Sequence, residues 1–192
     1  MRVLTGLLSA EECAAAASEM YRLAVIGRAM HDEQCPKSWS IYGHRAFDLI
    51  LEQKAGEVSA AFGELLLPTY SFARHYVNGE ELHPHVDRPE CEVSVTVTLS
   101  CDGDPWPIYA AASLAGGDRI AGRGDREFFI GESQEFLLPV GSGLLYMGCE
   151  DVHWRRPYTG NRQDQVFLHY VRAAGPYAHR VFDGRKALSH RH

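Results

Sequence analysis

Three potential metal ligands alternate along a short segment of the chain: His83, His85 and Asp87. Side chains alternate between the two faces of an extended strand, so these three are expected on one face. Imidazole nitrogens and a carboxylate at this spacing supply half of a site for a divalent metal ion. The remaining ligand must come from elsewhere, and His153, in the strand-like segment 151–155, is the clearest candidate.

Two ligand sets can be assembled from these residues, and the sequence leaves both open. His85, Asp87 and His153 would form the facial triad of two histidines and one carboxylate, which leaves positions on an iron open for substrate chemistry. His83, His85 and His153 would instead form a three-histidine site of the cupin type. Pro84 cannot donate to a strand ladder, which places the segment at a sheet edge or strand mouth.

A cation and a phenol flank these ligands in the sequence. Arg162 follows His153 by nine residues, and residues 157–160 form a turn between them. A guanidinium can hold a carboxylate through two parallel hydrogen bonds, so Arg162 is a candidate to bind an acidic cosubstrate whose other end chelates the metal. Tyr76, nine residues before His85, could donate its hydroxyl to the same carboxylate. The alternative is a solvated loop position for Arg162 and simple packing for Tyr76.

The elements that must position these residues change type along the chain. Ser9 and Glu12 have the spacing of a capping box, and an alanine-rich helix is expected from there to about Arg22. A second helix is expected over residues 43–64, where apolar side chains recur at helical spacing and would pack on a sheet. Residues 9–64 are therefore predicted to form a helical support.

Beyond residue 68 the pattern becomes that of short strands separated by turns. Residues 92–100 alternate valine and leucine with glutamate, serine and threonine, which predicts a half-buried strand. Further strands are expected at 69–77, 106–112, 127–130, 135–138, 143–147 and 165–171. Helices followed by many short strands predict a β sandwich or jelly roll with the helices laid against one sheet.

Composition limits the kinds of partner. The 192 residues suffice for a single domain (1–192), no linker divides them, and the polar tail 175–192 is expected to be peripheral. A formal net charge of −6 argues against electrostatic binding to nucleic acid or an anionic membrane. No apolar segment approaches the roughly 18 residues of a membrane span, so a cytoplasmic protein is expected. The five cysteines are scattered and odd in number, which predicts reduced thiols.

The spacing of several motifs resembles that of one enzyme superfamily. The motifs are Tyr76-x-x-Gly79-x-x-Leu82-x-x-His85-x-Asp87, the valine and threonine strand, Gly141-x-Gly143-x-Leu145, and His153 followed nine residues later by Arg162. They are similar to those of the Fe(II)/2-oxoglutarate-dependent oxygenases, and of the small prolyl-hydroxylase-like branch in particular, over residues 69–172. The resemblance implies a mainly β fold with N-terminal helices, whose core is a double-stranded β-helix of the cupin-like, jelly-roll type.

The resemblance also implies an activity and assigns residues to it. His85, Asp87 and His153 would bind Fe(II) and form the catalytic centre. Arg162, helped by Tyr76, would receive the distal carboxylate of 2-oxoglutarate. The implied reaction couples oxidative decarboxylation of 2-oxoglutarate by O₂ to hydroxylation, or a related C–H oxidation, of a peptide, amino acid or small metabolite. Asp87 leaves no coordination position for a halide, so halogenation is not expected, whereas desaturation and ring formation would use the same ligands.

One departure from the family affects the cosubstrate site. The family often continues its late strand as Arg-x-Ser, whereas Asp164 stands two residues after Arg162 in this chain. An acidic side chain would repel a bound carboxylate unless it points away, so other arginines are alternatives for this role. These alternatives are Arg74, Arg88 and Arg155.

Loops that cover the metal centre are expected to select the substrate. Candidates are the segment 30–42, which holds Trp39 and Tyr42, and the glycine-rich segment 116–124, which is expected to be a mobile loop or a hairpin tip. Trp39 could equally be a hydrophobic plug. Arg88, immediately after the metal-binding segment, would meet an acidic group of the substrate or pair with Glu90.

Two other functions are kept beside this one. A cupin-type metalloprotein would use His83, His85 and His153 without 2-oxoglutarate, and His83→Ala would abolish its metal binding. A non-catalytic jelly-roll binding module would lack iron altogether. A small β-helix with exposed edges is also compatible with a homodimer, although no feature of the sequence decides this.

Overall fold

The computed structural model of the chain describes residues 1–189. The helices are α1 (Ala10–Val25) and α2 (Arg45–Phe62), and 3₁₀ segments span Pro89–Cys91 and Ala178–Gly184. The strands are β1 (Arg2–Leu4), β2 (Trp39–Tyr42), β3 (Leu66–Val77), β4 (Leu82–His85), β5 (Val93–Cys101), β6 (Ile108–Ala121), β7 (Glu127–Ile130), β8 (Gln134–Phe136), β9 (Gly143–Tyr146), β10 (Asp151–Arg155) and β11 (Arg162–Arg172).

The strands form two antiparallel sheets. Six strands pair in the order β1-β9-β5-β11-β3-β2, and the second sheet has the order β4-β10-β6-β7, with β8 also paired to β6. The sheets face each other, and side chains from both line a cavity between them. The structure thus confirms the mainly β architecture with a double-stranded β-helix core.

The two helices cover the six-stranded sheet. α1 begins with the predicted capping box, in which Ser9 Oγ accepts from the Glu12 N–H at 3.1 Å and the Glu12 carboxylate accepts from the Ser9 N–H at 2.7 Å. α2 ends at Gly63, whose φ of 97° favours glycine. Phe47 and Leu51 of α2 are fully buried in the core shared with the sheet. Among residues 1–189, neither helix is long and apolar enough to cross a membrane.

Strand β5 is buried on both faces, which corrects the half-buried strand predicted over 92–100. Its valines and Leu99 pack in the core beneath the helices, as the alternation indicated. The opposite face does not meet solvent, because it points between the two sheets. There the Gln165 amide bridges Thr96 and Thr98 through hydrogen bonds of 3.0 Å each. Hydroxyl groups can be buried in this way because each one has a partner.

Of the mobile loop or hairpin tip expected over 116–124, the structure has the hairpin, which β6 and β7 form. Residues 118–121 pair with residues 127–130, so only residues 122–126 form the tip of the hairpin. The Gly122 N–H donates to the carbonyl oxygen of Arg126 at 2.8 Å and closes this tip.

The C-terminal segment reaches the core at Leu188, so the prediction of a peripheral tail over 175–192 is wrong at that residue. Leu188 is 0% exposed and belongs to the core that the helices and the six-stranded sheet share. The buried Asp48 carboxylate of α2 accepts a hydrogen bond from Arg185 at 2.9 Å. The polar composition of the tail hid these contacts, which depend on one leucine and one arginine. Residues 190–192 lie outside the described part of the chain.

Candidate metal centre

Strands β4 and β10 bring three of the predicted metal ligands together. The strands pair antiparallel with His85 directly opposite His153, and the two ring centroids are 4.2 Å apart. Asp87 follows β4, and its Oδ1 lies 3.7 Å from the Nε2 atoms of both histidines. One ligand atom of each side chain lies within 4.8 Å of the others, so a single metal ion could bridge them.

The backbone fixes both imidazoles in the same way. Nδ1 of His85 lies 2.8 Å from the carbonyl oxygen of His83, and Nδ1 of His153 lies 2.9 Å from that of Asp151. A carbonyl oxygen can only accept, so each Nδ1 carries the proton and donates it. The free lone pair is then on Nε2, the atom that faces Asp87, as a metal-binding histidine requires.

Burial shifts the pKa of all three candidate ligands. It lowers the pKa of His85 to about 4, with a further contribution from nearby His153, and it lowers the pKa of His153 to about 4. It raises the pKa of Asp87 to about 6. Both imidazoles are therefore neutral at pH 7, and no proton has to leave Nε2 before a cation binds. A divalent cation would in turn offset the cost of burying the Asp87 carboxylate.

A cavity extends inward from these three ligands. The cavity has a volume of about 140 Å³. Strand β3 contributes every second residue to its wall, as expected of a strand with one face towards a cavity: Tyr70, Phe72, Arg74 and Tyr76. The other strands add Leu82, Ile108, Tyr146, Arg155, Phe167 and His169.

Arg155 and Tyr76 bring unpaired hydrogen-bond donors into this cavity. Arg155 is 1% exposed, and its Nη1 donates to the carbonyl oxygen of Trp106. Its Nε and Nη2 have no partner among the described residues, and neither has the Tyr76 hydroxyl. Burial lowers the pKa of Arg155, which reflects the cost of placing an incompletely paired cation in the interior. A carboxylate in the cavity would satisfy these donors.

Comparison with known proteins shows likeness in structure but not in sequence. No family model matches the chain, and no curated protein is similar to it in sequence. A prolyl-4-hydroxylase from Pseudomonas putida has a TM-score of 0.63 at 16% identity, over 89% of this chain and 91% of that chain. HygX from Streptomyces hygroscopicus, solved with nickel and 2-oxoglutarate bound, has a TM-score of 0.65 at 13% identity, over 90% and 82%. A 2OG-Fe(II) oxygenase family protein from Burkholderia pseudomallei has a TM-score of 0.65 at 15% identity, over 90% and 84%.

The chain has the fold of the Fe(II)/2-oxoglutarate-dependent oxygenases. This is the fold that the motifs of the sequence implied. The remaining predicted site residues can be located within this oxygenase fold, and not all of them lie at the metal centre.

His83 does not join the metal ligands. Its side chain is 44% exposed, and its Nδ1 faces Glu81 at 3.5 Å. Its contribution to the site is its backbone carbonyl, which orients the imidazole of His85. Within residues 1–189, the set of three histidines needed for a cupin-type site is therefore not assembled.

Arg162 lies away from the cavity of the oxygenase fold. Its side chain is 46% exposed, and its guanidinium donates to Asp102 at 3.2 Å and to the Tyr21 hydroxyl at 2.9 Å. The structure therefore does not bring Arg162 together with Tyr76. Instead Arg155 occupies the cavity wall, and a signal for it existed in the sequence, because it stands two residues after His153 on one strand.

Asp164 and Trp39 belong to a packed cluster outside the cavity. The buried Asp164 carboxylate lies 2.6 Å from Nδ1 of His75 and accepts from the Ser100 hydroxyl at 2.5 Å. Trp39 stacks on the His75 ring with centroids 4.7 Å apart. Asp164 thus points away from the cavity and would not repel a carboxylate bound at Arg155, and Trp39 plays a packing role.

Tyr42 and Arg88 also meet groups of this chain. Both donate to the carboxylate of Asp183 in the C-terminal segment, Arg88 through two hydrogen bonds of 2.8 and 2.9 Å. The Arg88 guanidinium also lies 4.4 Å from the centroid of the Tyr70 ring, which lines the cavity. These two residues therefore support one wall of the cavity from outside.

Gly148 is a part of the site that no motif in the sequence identified. The Asp87 N–H donates to the Gly148 carbonyl at 2.8 Å. A Cβ at position 148 would lie 2.2 Å from the carbonyl oxygen of Cys91, 2.7 Å from Ser94 Oγ and 2.9 Å from Asp87 Oδ2. Only glycine permits this close approach, and the hydrogen bond from the Asp87 N–H fixes the main chain of that ligand.

Proposed function

We propose that this chain is an Fe(II)/2-oxoglutarate-dependent dioxygenase that hydroxylates, or otherwise oxidises at carbon, a peptide, amino acid or small metabolite. The observation that carries the proposal is that a facial triad and the unpaired guanidinium of Arg155 line the same cavity. A metal ion accounts for the triad and a dicarboxylate accounts for the guanidinium. A purely structural cavity accounts for neither.

His85, Asp87 and His153 would hold the iron. When bound, Fe(II) together with 2-oxoglutarate and O₂ supplies the oxidising chemistry. The backbone carbonyls of His83 and Asp151 hold the two imidazoles, and both Nε2 atoms then lie 3.7 Å from Oδ1 of Asp87. With three protein ligands, the ion would keep positions free for exogenous ligands.

Arg155 and Tyr76 would hold the distal carboxylate of 2-oxoglutarate. Together they offer two guanidinium nitrogens and one hydroxyl, all unpaired and buried. Hydrogen bonds between ions are strong where water is excluded. Arg74, the other cation of the cavity wall, already has an ion-pair partner, because it donates to Asp32 at 2.5 Å and to Gln34 at 3.1 Å, and only its Nε lacks a hydrogen bond. Arg155 is therefore the better candidate among the arginines considered.

Apart from Gln34 and the two arginines, the rest of the cavity wall is aromatic or aliphatic. It consists of Tyr70, Phe72, Leu82, Ile108, Tyr146, Phe167 and His169. Burial lowers the pKa of His169 to about 3, so its imidazole is neutral at pH 7. Such a wall excludes water and accommodates the apolar part of a substrate beside the metal.

Anaerobic titration of the protein with Fe(II) and 2-oxoglutarate tests the proposal. The wild type is expected to give the weak visible metal-to-ligand absorption band of chelated 2-oxoglutarate, and Asp87→Ala is expected to lose it. Admission of O₂ to the wild type should release succinate. Bound metal without the band would indicate a metalloprotein that does not use 2-oxoglutarate, and absence of metal binding would indicate a non-catalytic module.

Further properties accompany this proposal as predictions from the sequence. They are a cytoplasmic location and a small-molecule or peptide partner in place of nucleic acid or membrane, and the sequence is compatible with a homodimer. Size-exclusion chromatography with light-scattering detection would distinguish a monomer from a dimer.

A further inference from the structure

A second depression on the surface, which we call the outer groove, adjoins the cavity. Gln34 and His85 line both. One wall of the groove is the loop before β2, which carries Glu33, and the other is the tip of the β6–β7 hairpin, which carries Arg123 and Arg126. A molecule that reaches the metal centre from this side would pass between these walls.

The hairpin tip is held against the strand that carries a metal ligand. A Cβ at Gly122 would lie only 2.8 Å from the carbonyl oxygen of Pro84 and 3.2 Å from Cβ of Arg126. Glycine at this position therefore lets the tip touch β4. Because Pro84 directly precedes His85, the side chains of the tip are presented beside the entrance to the metal centre.

Arg123 and Arg126 carry charges that the chain does not neutralise. Neither guanidinium has an ion pair or hydrogen bond among residues 1–189, whereas Arg119 on the same hairpin pairs with Glu127 at 3.0 Å. The outer groove thus holds two free cations and one carboxylate, Glu33, although the protein has a net charge of −6. Unpaired arginines grouped at the mouth of a site attract and hold anions.

We propose that the outer groove is a substrate subsite and that the substrate carries an anionic group, a carboxylate or a phosphate ester, which Arg123 and Arg126 bind. The inference rests on the proposed function, since the carbon to be oxidised would lie inside, past Gln34 and His85. The subsite is distinct from the place of 2-oxoglutarate, whose distal carboxylate is assigned to Arg155 within the cavity. Glu33 disfavours molecules that are negatively charged along their whole length.

Titration with small anions, followed by NMR, tests this inference. The probes are benzoate and phenyl phosphate, with benzyl alcohol as the neutral control, and Zn(II) and 2-oxoglutarate fill the cavity beforehand. Backbone amides of residues 122–126 report occupancy of the groove. The wild type should bind an anion saturably, and the double variant Arg123→Ala/Arg126→Ala should bind it at least about ten-fold more weakly. Arg119→Ala, which removes a paired cation from the same hairpin, should bind like the wild type.

The outcomes distinguish a carboxylate from a phosphate ester on the substrate, and they distinguish failure of the anion subsite from failure of the proposed oxygenase function. Tighter binding of phenyl phosphate identifies a phosphate-bearing substrate, and tighter binding of benzoate a carboxylate-bearing one. No saturable binding of either anion, or equal affinity in the double variant, overturns the inference. Failure of the proposed function shows itself separately, as loss of Zn(II) and 2-oxoglutarate binding in the wild type. The anions are then titrated into the metal-free protein. Weaker binding in the double variant than in the wild type would still support the anion subsite, and equal binding would overturn it.

Discussion

His153 and Arg155 project from the same face of one five-residue strand, so a metal ligand and an unpaired guanidinium share one wall of the cavity. Two residues of extended strand span about 7 Å. Strand β10 can therefore position both ends of a short dicarboxylate whose keto-acid end chelates the metal. A shift of this strand by one residue would turn both side chains away together.

Replacement of Arg155 by methionine should abolish 2-oxoglutarate binding and leave the metal-free fold intact. We expect the affinity to fall at least about 100-fold, because charge-assisted hydrogen bonds are lost. The melting temperature without ligands should stay equal or rise, since an apolar chain replaces a buried cation that is incompletely paired. Calorimetric titration and thermal melts measure the two effects. Arg162→Ala is the control, and loss of binding there with retention in Arg155→Met would reverse our assignment.

Removal of the His83 imidazole should leave metal binding close to that of the wild type. The side chain is largely exposed and only its backbone carbonyl orients His85, a contact that alanine preserves. His153→Ala, in contrast, should weaken binding of Mn(II) or Zn(II) by more than about 100-fold. Calorimetry on both variants gives the comparison. A large loss of metal affinity in His83→Ala would support the three-histidine site of the cupin type.

Gly148→Ala should destabilise the protein and disrupt the metal centre. The added methyl group would overlap the Cys91 carbonyl and press on Asp87, at a cost of about 1–3 kcal/mol in the free energy of unfolding. Urea unfolding and metal titration measure both effects. Gly131→Ala is a matched control, because its Cβ would make only ordinary contacts at 3.8 and 3.9 Å. Equal stability and equal metal affinity of the two variants would show that the chain around position 148 shifts to accommodate a methyl group.

Leu188→Ala should cost about 2–4 kcal/mol in the free energy of unfolding, the usual range for a fully buried leucine. The prediction tests whether the C-terminal segment is an integral part of the fold. Leu137→Ala is the control, since that side chain is 56% exposed and its loss should change stability by less than about 0.5 kcal/mol. Urea unfolding curves give both values. Superimposable unfolding curves for Leu188→Ala and the wild type would show that the C-terminal segment is peripheral to the fold.

Asp48 should contribute stability that is lost in acid. Burial raises the pKa of its carboxyl, but hydrogen bonds from Ser189 and Ser71 and the charge of Arg185 outweigh this and lower the pKa below its ordinary value of 3.8. The contribution is therefore complete above about pH 4 and disappears as the pH falls through the lowered pKa of the folded state. Asp48→Asn should lower stability at pH 7 by about 2–4 kcal/mol. It should also flatten the loss of stability below pH 4, measured by urea unfolding at several pH values. Parallel pH curves for the two proteins would contradict the assignment.

The local patterns of the sequence predicted much of the fold. The capping box of Ser9 and Glu12 begins α1, and the alternating residues 92–100 correspond to β5. Both could be predicted because the start of a helix and the faces of a strand depend on residues close together in the sequence. His85, Asp87 and His153 also stood out by residue type and spacing. The structure brings these three together as the sequence indicated.

Only the tertiary structure decided which arginine enters the cavity, what covers the polar face of β5 and where the tail lies. The spacing of nine residues after His153 favoured Arg162 as the arginine that binds the cosubstrate. Arg162, at the start of β11, instead contacts Asp102 and Tyr21, and Arg155 is the arginine buried in the cavity wall. Leu188 and Gly148 likewise owe their roles to segments distant in the sequence. Sequence fixes the period of a strand and therefore which residues share a face. Which of those faces meets a cavity, another sheet or solvent depends on how distant strands pair, and that is a property of the folded chain alone.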